Sequence, residues 1–252
     1  MSELTADEQK APMGPKRVLI IMAHPDDGEF SAGGTLARWA AEGRDVHYCL
    51  VTDGQVGDAG DNEITSEELA RVRQREAQAA ADALGVQNKV RFLHYWDSKL
   101  EPTLELRMGI ARVIREVRPD VVICQDPTRR WSGQGYINHP DHRAAGEASL
   151  SAIMPLASTR LATPQLAAEG LAPHNVKEIY ISGAEPADRF VDIGGYLEKK
   201  VAALKAHASQ MRDWDPTQGV EQWARETGNA AKRHGHDMTF AEAFKYVRLE
   251  ED

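Results

Sequence analysis

Two hydrophobic rhythms alternate along the first half of the chain. Arg17 to Ala23 (RVLIIMA), Asp45 to Thr52, Val90 to His94 and Val121 to Gln125 are short runs dominated by apolar residues. Such runs predict strands, the first two of them buried on both faces. Between them lie amphipathic stretches that predict helices: Thr35 to about Glu42, closed by Gly43; Ser66 to Leu84, closed by Gly85; and Thr103 to Val117, with Pro119 leading into the next strand. Glycine just past the last periodic residue and proline shortly after are ordinary helix stops. Strands that alternate with helices predict a parallel sheet joined by right-handed crossovers. The fold class is therefore α/β, a Rossmann-like, mostly parallel sheet flanked by helices.

Beyond Asp126 the pattern loosens into a decorated C-terminal third. Pro127 to Pro140 is a polar loop, followed by a helix from about Pro140 to Ile153. Pro155 to Asn175 holds three prolines and room for one short helix after Thr163. Val176 to Ser182 and Phe190 to Ile193 predict short strands, and Tyr196 to Gln210 and Val220 to Arg233 predict helices. Phe240 to Val247 is apolar without a clear period. There is no internal repeat or low-complexity linker, which predicts one domain over 17–252 after a loose tail, Met1 to Lys16.

Composition narrows the class. The chain has 252 residues, 42% of them apolar, and 39 acidic against 30 basic residues, for a net charge of −9. That balance argues against a nucleic-acid binder or a partner of anionic membranes. No apolar run approaches the ~20 residues of a membrane span, and the acidic first 16 residues have no apolar core of a signal peptide. The expected location is cytoplasmic. The two cysteines, Cys49 and Cys124, sit in strand-like runs and are expected as reduced core thiols.

Two clusters carry chemistry. The first strand runs into His24-Pro25-Asp26-Asp27-Gly28-Glu29, followed by Gly33-Gly34-Thr35. Ligands of open parallel sheets bind beyond the carboxyl ends of the strands, so these side chains fall where a site is expected. Three carboxylates and an imidazole in six residues call for a cation. The second cluster, Asn138-His139-Pro140-Asp141-His142-Arg143, follows the loop after the fourth strand. Pro140 suits a first helical position, which puts His142 in a first turn where the helix dipole keeps its imidazole neutral and able to bind metal. A carboxylate and histidine from the first cluster with a histidine from the second make a three-ligand site open to water, the pattern of catalytic zinc.

These residues carry a family resemblance. AHPDDGEFSAGGT (Ala23 to Thr35) with NHPDHR (Asn138 to Arg143) resembles the LmbE-like, or PIG-L, de-N-acetylases, which include mycothiol and bacillithiol pathway deacetylases. The likeness runs from about Arg17 to Gln210 and takes in Arg73 and Glu76, Asp97, and Lys200 to Gln210. It implies His24, Asp27 and His142 as metal ligands, Asp26 as general base and His139 as the donor that stabilises the oxyanion. It also implies Arg73 and Asp97 as contacts to the sugar or its appended group, and a homo-oligomer, in several members a hexamer. One departure is that Ile137 stands where the family often has tyrosine, two residues before the first histidine of the second motif.

The implied chemistry is removal of an acetyl or other acyl group from the nitrogen of an N-acetylglucosamine-type sugar or conjugate. Zn²⁺, or Fe²⁺ or another divalent ion, lowers the pKa of water to ~7 and polarises the carbonyl. Asp26 takes the proton, and Asp141 is expected to keep His139 charged. Trp96 and Trp131 could wall a sugar pocket. Three rivals stand beside this reading: an amidase acting on a thiol conjugate or natural-product amide, a non-haem Fe(II) redox enzyme with two histidines and one carboxylate, and a nucleotide-binding module. The last lacks the G-x-G-x-x-G turn, and its carboxylates would repel a pyrophosphate.

Overall fold

The computed structural model describes residues 16–57, 60, 63–87, 89–132 and 135–249. The expected tail, Met1 to Lys16, lies outside them except for Lys16, which pairs with Glu178. Part of the loop at 53–62 also lies outside.

The elements run β1 (Arg17–Met22), α1 (Asp27–Ala41), β2 (Asp45–Thr52), α2 (Ser66–Leu84), β3 (Val90–Tyr95), α3 (Leu104–Val117) and β4 (Val121–Gln125). Then come a small hairpin of β5 (Trp131–Ser132) and β6 (Tyr136–Ile137), followed by α4 (Pro140–Ser151), α5 (Pro164–Ala168), β7 (Glu178–Ser182) and β8 (Arg189–Asp192). The chain closes with α6 (Leu197–Ala206), α7 (Ala208–Met211), α8 (Thr217–Arg233) and β9 (Ala241–Arg248). The main sheet has the order β3-β2-β1-β4-β7-β9-β8. β3, β2, β1, β4 and β7 are parallel, while β9 runs antiparallel between β7 and β8.

Alternate strand residues feed two cores, as the pleat requires. Leu19, Ile21, Cys49, Val51, Val122 and Cys124 face α3 and α4, among Ile110, Ile114, Ala145 and Ala148. Val18, Ile20, Met22, Tyr48, Leu50 and Ile123 face the other way, against Leu36, Trp39, Ala77 and Ala81. Cys49 and Cys124 are free, and burial pushes both thiols up to about 12. They are packing residues of low nucleophilicity.

Three elements differ from the sequence reading. α1 starts at Asp27, eight residues before the expected Thr35. Gly28, Gly33 and Gly34 weaken the helical pattern, but they face close neighbours: a Cβ on Gly34 would lie 2.7 Å from Ile193. Asp27 and Glu29 then sit in the first turn, where carboxylates complement the helix dipole. The expected helix from Tyr196 to Gln210 is divided at His207, whose ψ of 54° lies outside the helical region. Phe240 to Val247 falls almost wholly in β9, held by pairing with β7 and β8, elements distant in sequence.

The order β2-β1-β4 reverses direction at β1 and β4, the switch point of an open α/β sheet. His24 lies just past the end of β1, and the segment after β4 leads to α4. α4 comes very close to the strand end: a Cβ on Gly146 would lie 2.2 Å from the carbonyl oxygen of Gln125. Glycine there lets the first turn of α4 reach the end of β1.

Candidate active site

The two sequence motifs meet at the carboxyl ends of β1 and β4. His24, Asp27 and His142 offer ligand atoms that lie within 4.8 Å of one another. Asp27 Oδ1 is 3.0 Å from His142 Nε2, and Asp27 Oδ2 is 3.3 Å from His24 Nδ1. Each side chain is held from behind. Asp27 Oδ2 accepts from the His24 amide at 2.8 Å and from Gln125 Nε2 at 3.1 Å. His142 Nδ1 lies 3.0 Å from Asn138 Oδ1, while Asn138 Nδ2 donates to the Arg129 carbonyl. The amide is thereby oriented with its oxygen toward the ring, so Nδ1 carries the proton and the Nε2 lone pair faces inward. Fixing a ligand's tautomer through its far nitrogen is how metal-binding histidines are oriented.

His24 is anchored by carboxylates. Its Nε2 lies 3.1 Å from Asp97 Oδ1 and 3.4 Å from Asp141 Oδ2. Burial works to lower the His24 pKa, but Asp141, Asp27 and Asp97 raise it well above its ordinary value. For Asp27, burial works upward and the two imidazoles, His142 first, hold the carboxyl well below the usual range. A cluster this acidic and this buried needs a positive charge, supplied by a proton or by a cation. Three convergent N and O donors with neutral-capable imidazoles fit a divalent metal ion.

Asp26 sits beside this set and outside it. It precedes α1 with φ 95°, a left-handed conformation that costs a non-glycine residue energy. Its Oδ2 accepts from Arg73 Nη2 at 3.1 Å. Arg73 also donates to the carbonyls of Pro25 at 2.6 Å and Gly54 at 2.8 Å. A Cβ on Gly54, whose φ is +65°, would lie 2.3 Å from Arg73 Nη1, so this position has room only for glycine. Burial pushes the Asp26 carboxyl up to about 6, against the pull of Arg73. A proton acceptor near neutrality suits general base work.

These placements correct three expectations. Arg73 and Asp97, expected as sugar contacts, are turned inward and only 3% and 4% exposed. Arg73 binds the loop that carries Asp26. Asp97 accepts from the Val56 amide and faces His24, whose proximity holds it at about 2 against burial. Asp141, expected to keep His139 charged, instead accepts from the Ser98 amide at 2.7 Å and faces His24. His139 Nδ1 accepts the Asp141 amide at 3.2 Å, so that nitrogen bears no proton. Burial, with His24 nearby, lowers the His139 pKa. Both features favour a neutral His139 with Nε2 as its donor over the expected imidazolium. Its ring packs edge-on against His24 at 4.7 Å.

Trp96 and Trp131 are 45% and 69% exposed, on the loop after β3 and on β5. Neither lines the cleft beside the ligands. That cleft, of about 350 Å³, is walled by Asp27, Phe30, Ser31, Gln125, Asp126, Arg129, Tyr136, Asn138, His142, Ser182 and Gly183. Tyr136 thus reaches the cleft while Ile137 is 83% exposed.

Several participants were missed in the sequence. Asn138 and Gln125 lay within the quoted motif and strand, and the spacing of four between Asn138 and His142 was the available signal. Behind Asp26, His207 Nε2 lies 3.3 Å from Glu29 Oε2, with both side chains buried. His94 Nδ1 pairs with Asp53 Oδ2 at 2.9 Å. Lys200 pairs with Glu242 at 2.5 Å and donates to the Phe30 carbonyl, while Glu242 accepts from the amides of Gly34 and Thr35. No local pattern marks these pairs. Among the described residues no helix is long and apolar enough to cross a membrane.

Comparison with known proteins places this geometry. The family model for GlcNAc-PI de-N-acetylases (PIG-L) matches residues 19–153. A diacetylchitobiose deacetylase of Thermococcus kodakarensis is 36% identical over 206 residues, covering 80% of this chain and 74% of that protein. The structure of N,N′-diacetylchitobiose deacetylase from Pyrococcus horikoshii aligns with a TM-score of 0.81 at 26% identity, over 98% of this chain and 94% of that one. A 4-carboxy-2-hydroxymuconate hydratase from Pseudomonas putida KT2440 aligns with a TM-score of 0.76 at 25% identity, over 94% of this chain and 99% of that one.

Proposed function

We propose, for a chain that belongs to the GlcNAc-PI de-N-acetylase (PIG-L) family, that it is a zinc-dependent hydrolase removing the acetyl group from an N-acetylglucosamine-type sugar. The observation that carries this reading is the meeting of His24 and Asp27 with His142, beside a carboxylate, Asp26, that is held by Arg73 and stands outside the ligand set. Two histidines and one carboxylate would hold the ion. When bound, it supplies Lewis acidity to the amide carbonyl and lowers the pKa of water.

The protein's own groups divide the remaining work. Asp26, raised toward neutrality by burial, accepts a proton from the attacking water and returns it to the departing amine. His139 Nε2–H donates to the carbonyl oxygen as charge develops there, a contact worth on the order of 3 kcal/mol in the transition state. Arg73 fixes Asp26 so that its carboxylate faces the reacting centre rather than the solvent. Asp97 and Asp141 hold the His24 ring. Water and amide are consumed, and acetate and free amine are produced.

The cleft sets the hydrogen-bonding side chains of Ser31, Asp126, Arg129, Asn138 and Ser182 beside the rings of Phe30 and Tyr136, which suits the hydroxyls and C–H faces of a sugar ring. A cytoplasmic location and a homo-oligomer belong to the same reading. Hydration of a carbon–carbon double bond, the chemistry of one structural neighbour, is the alternative. Acetate release from N-acetylglucosamine and its conjugates, assayed with metal content on the same sample, separates the two. Absence of acetate from every acetamido sugar, with turnover of an unsaturated carboxylic acid, would overturn the hydrolase reading.

A further inference from the structure

Among the described residues, the buried carboxylates are Glu29, Asp53, Asp97, Asp126, Asp141 and Glu242. All but one face an imidazole or an ammonium group. Glu29 faces His207, Asp53 faces His94, Asp97 and Asp141 face His24, and Glu242 faces Lys200. Asp126 is the exception. Its side chain meets Thr128 alone, with Oδ1 accepting from the Thr128 amide at 2.8 Å and from the Thr128 hydroxyl at 2.7 Å. Both donors are neutral and both fall on the same oxygen. Asp126 also lines the cleft beside the candidate ligands, and Oδ2 is the oxygen it has left to offer there. A carboxylate out of bulk water needs hydrogen-bond donors around it, and here the missing donor comes from whatever fills the cleft.

The surroundings hold Asp126 in place for that role. Its amide donates to the Ser182 carbonyl at 3.0 Å, which ties the end of β4 to the end of β7. Thr128 closes the turn that follows. The preceding residue, Gln125, donates to Asp27 Oδ2 at 3.1 Å. Successive residues of one strand end therefore serve a candidate metal ligand and the open cleft. Arg129, the arginine of the cleft wall, donates to the Gly183 carbonyl at 2.9 Å and pairs with Glu185 at 2.9 Å. A fixed anionic acceptor of this kind selects hydrogen-bond donors. A hydroxyl satisfies it, whereas a carboxylate or phosphate at the same point is repelled.

We infer that Asp126 is a specificity-determining residue that accepts a ring hydroxyl of the substrate through Oδ2. This inference rests on the acetamido-sugar reading above and concerns a residue outside both sequence motifs and outside the proposed catalytic set.

Asp126→Asn separates the two oxygens. The amide oxygen keeps both Thr128 donors, while the amide nitrogen replaces Oδ2 and turns an acceptor into a donor. The probes are N-acetylglucosamine and its 3-deoxy, 4-deoxy and 6-deoxy analogues. Wild type should lose on the order of 10- to 100-fold in kcat/KM on one of the three, mainly through KM, because the charged acceptor is left without its donor. Asp126→Asn should lose a similar amount on the parent sugar and less than about threefold more on that same analogue, since the two changes remove one contact. Its metal content should equal that of wild type. Thr128→Val is the control for the turn: it removes one donor to Oδ1, leaves Oδ2 in place, and should discriminate among the four sugars as wild type does. Equal losses of Asp126→Asn on all four sugars overturn the assignment, as does a variant that discriminates as wild type does. Loss of discrimination in Thr128→Val as well would make the turn the cause, and the assignment fails. If wild type turns over none of the four sugars, it is the acetamido-sugar reading that fails. Calorimetric titration of the zinc-loaded protein with the same four sugars then decides Asp126 separately. A deoxy penalty present in wild type and missing from Asp126→Asn supports it, and equal affinities or no binding overturn it.

Discussion

Arg73 and Asp26 are joined by a buried ion pair, Nη2 to Oδ2 at 3.1 Å, across 47 positions of sequence. The same guanidinium binds the Pro25 and Gly54 carbonyls. One side chain thus ties α2 to the turn that follows β1 and to the loop that follows β2. The strained φ of Asp26 persists because this fork determines it from three directions.

Arg73→Ala should therefore destabilise the fold by about 3 kcal/mol, the usual cost of leaving one member of a buried pair alone. Arg73→Lys should retain more stability, yet lose on the order of 100-fold in kcat through misplacement of Asp26. Metal content should stay near wild type in the lysine variant. Denaturant melts, metal analysis and rates on one preparation check this. A lysine variant that changes only KM would mean that Arg73 reaches substrate after all.

Asp26→Asn should keep its metal and lose most turnover, the outcome expected of the proposed base that stands outside the ligand set. His142→Ala should lose both, and added Zn²⁺ should not restore it. Chelation should abolish wild-type activity, and Zn²⁺ should return it and raise Tm, since an ion that binds only the folded state stabilises it. Proportional loss of metal and rate in Asp26→Asn would make Asp26 a ligand.

Asp141→Asn distinguishes the observed geometry from the expected one. Asp141 accepts from the Ser98 amide and faces His24, so the variant should weaken metal affinity about 10- to 100-fold by releasing a ligand's support. It should also lower Tm, because an amide nitrogen turned toward Ser98 N–H leaves a buried donor unpaired. Metal affinity equal to wild type, with only kcat reduced, would restore the reading in which Asp141 serves His139.

His207 gives the fold a pH dependence of known sign. Burial works to lower its pKa, but the Glu29 carboxylate overcomes this and raises it above the usual 6.5. A raised folded-state pKa stabilises below the unfolded value, and the contribution is lost as pH rises through the folded one. His207→Gln should therefore lower Tm more at about pH 6 than at about pH 9. Equal losses at both values would show that His207 is neutral in the folded protein.

Much of the scaffold was legible in the sequence because its signals are local. β2, α2 and β4 begin and end where the apolar runs and Gly85 placed them. The two motifs stood at strand ends, where a parallel sheet presents its ligands, and the family resemblance singled out His24, Asp27 and His142 within them, which the structure brings together. Only the tertiary structure decided which carboxylate serves which histidine. Asp141 lies two residues from His139 but turns to His24, because the first turn of α4 directs it inward to the Ser98 amide. Arg73 was expected to contact the sugar, and its burial follows from Gly54 and Asp26, which other loops bring to it. The same holds for β9, whose apolar run had no period of its own and became a strand by filling the space between β7 and β8. Periodicity is set by each residue's own backbone and neighbours, whereas the partner of a buried charge is supplied by elements distant in sequence, through packing that no local pattern records.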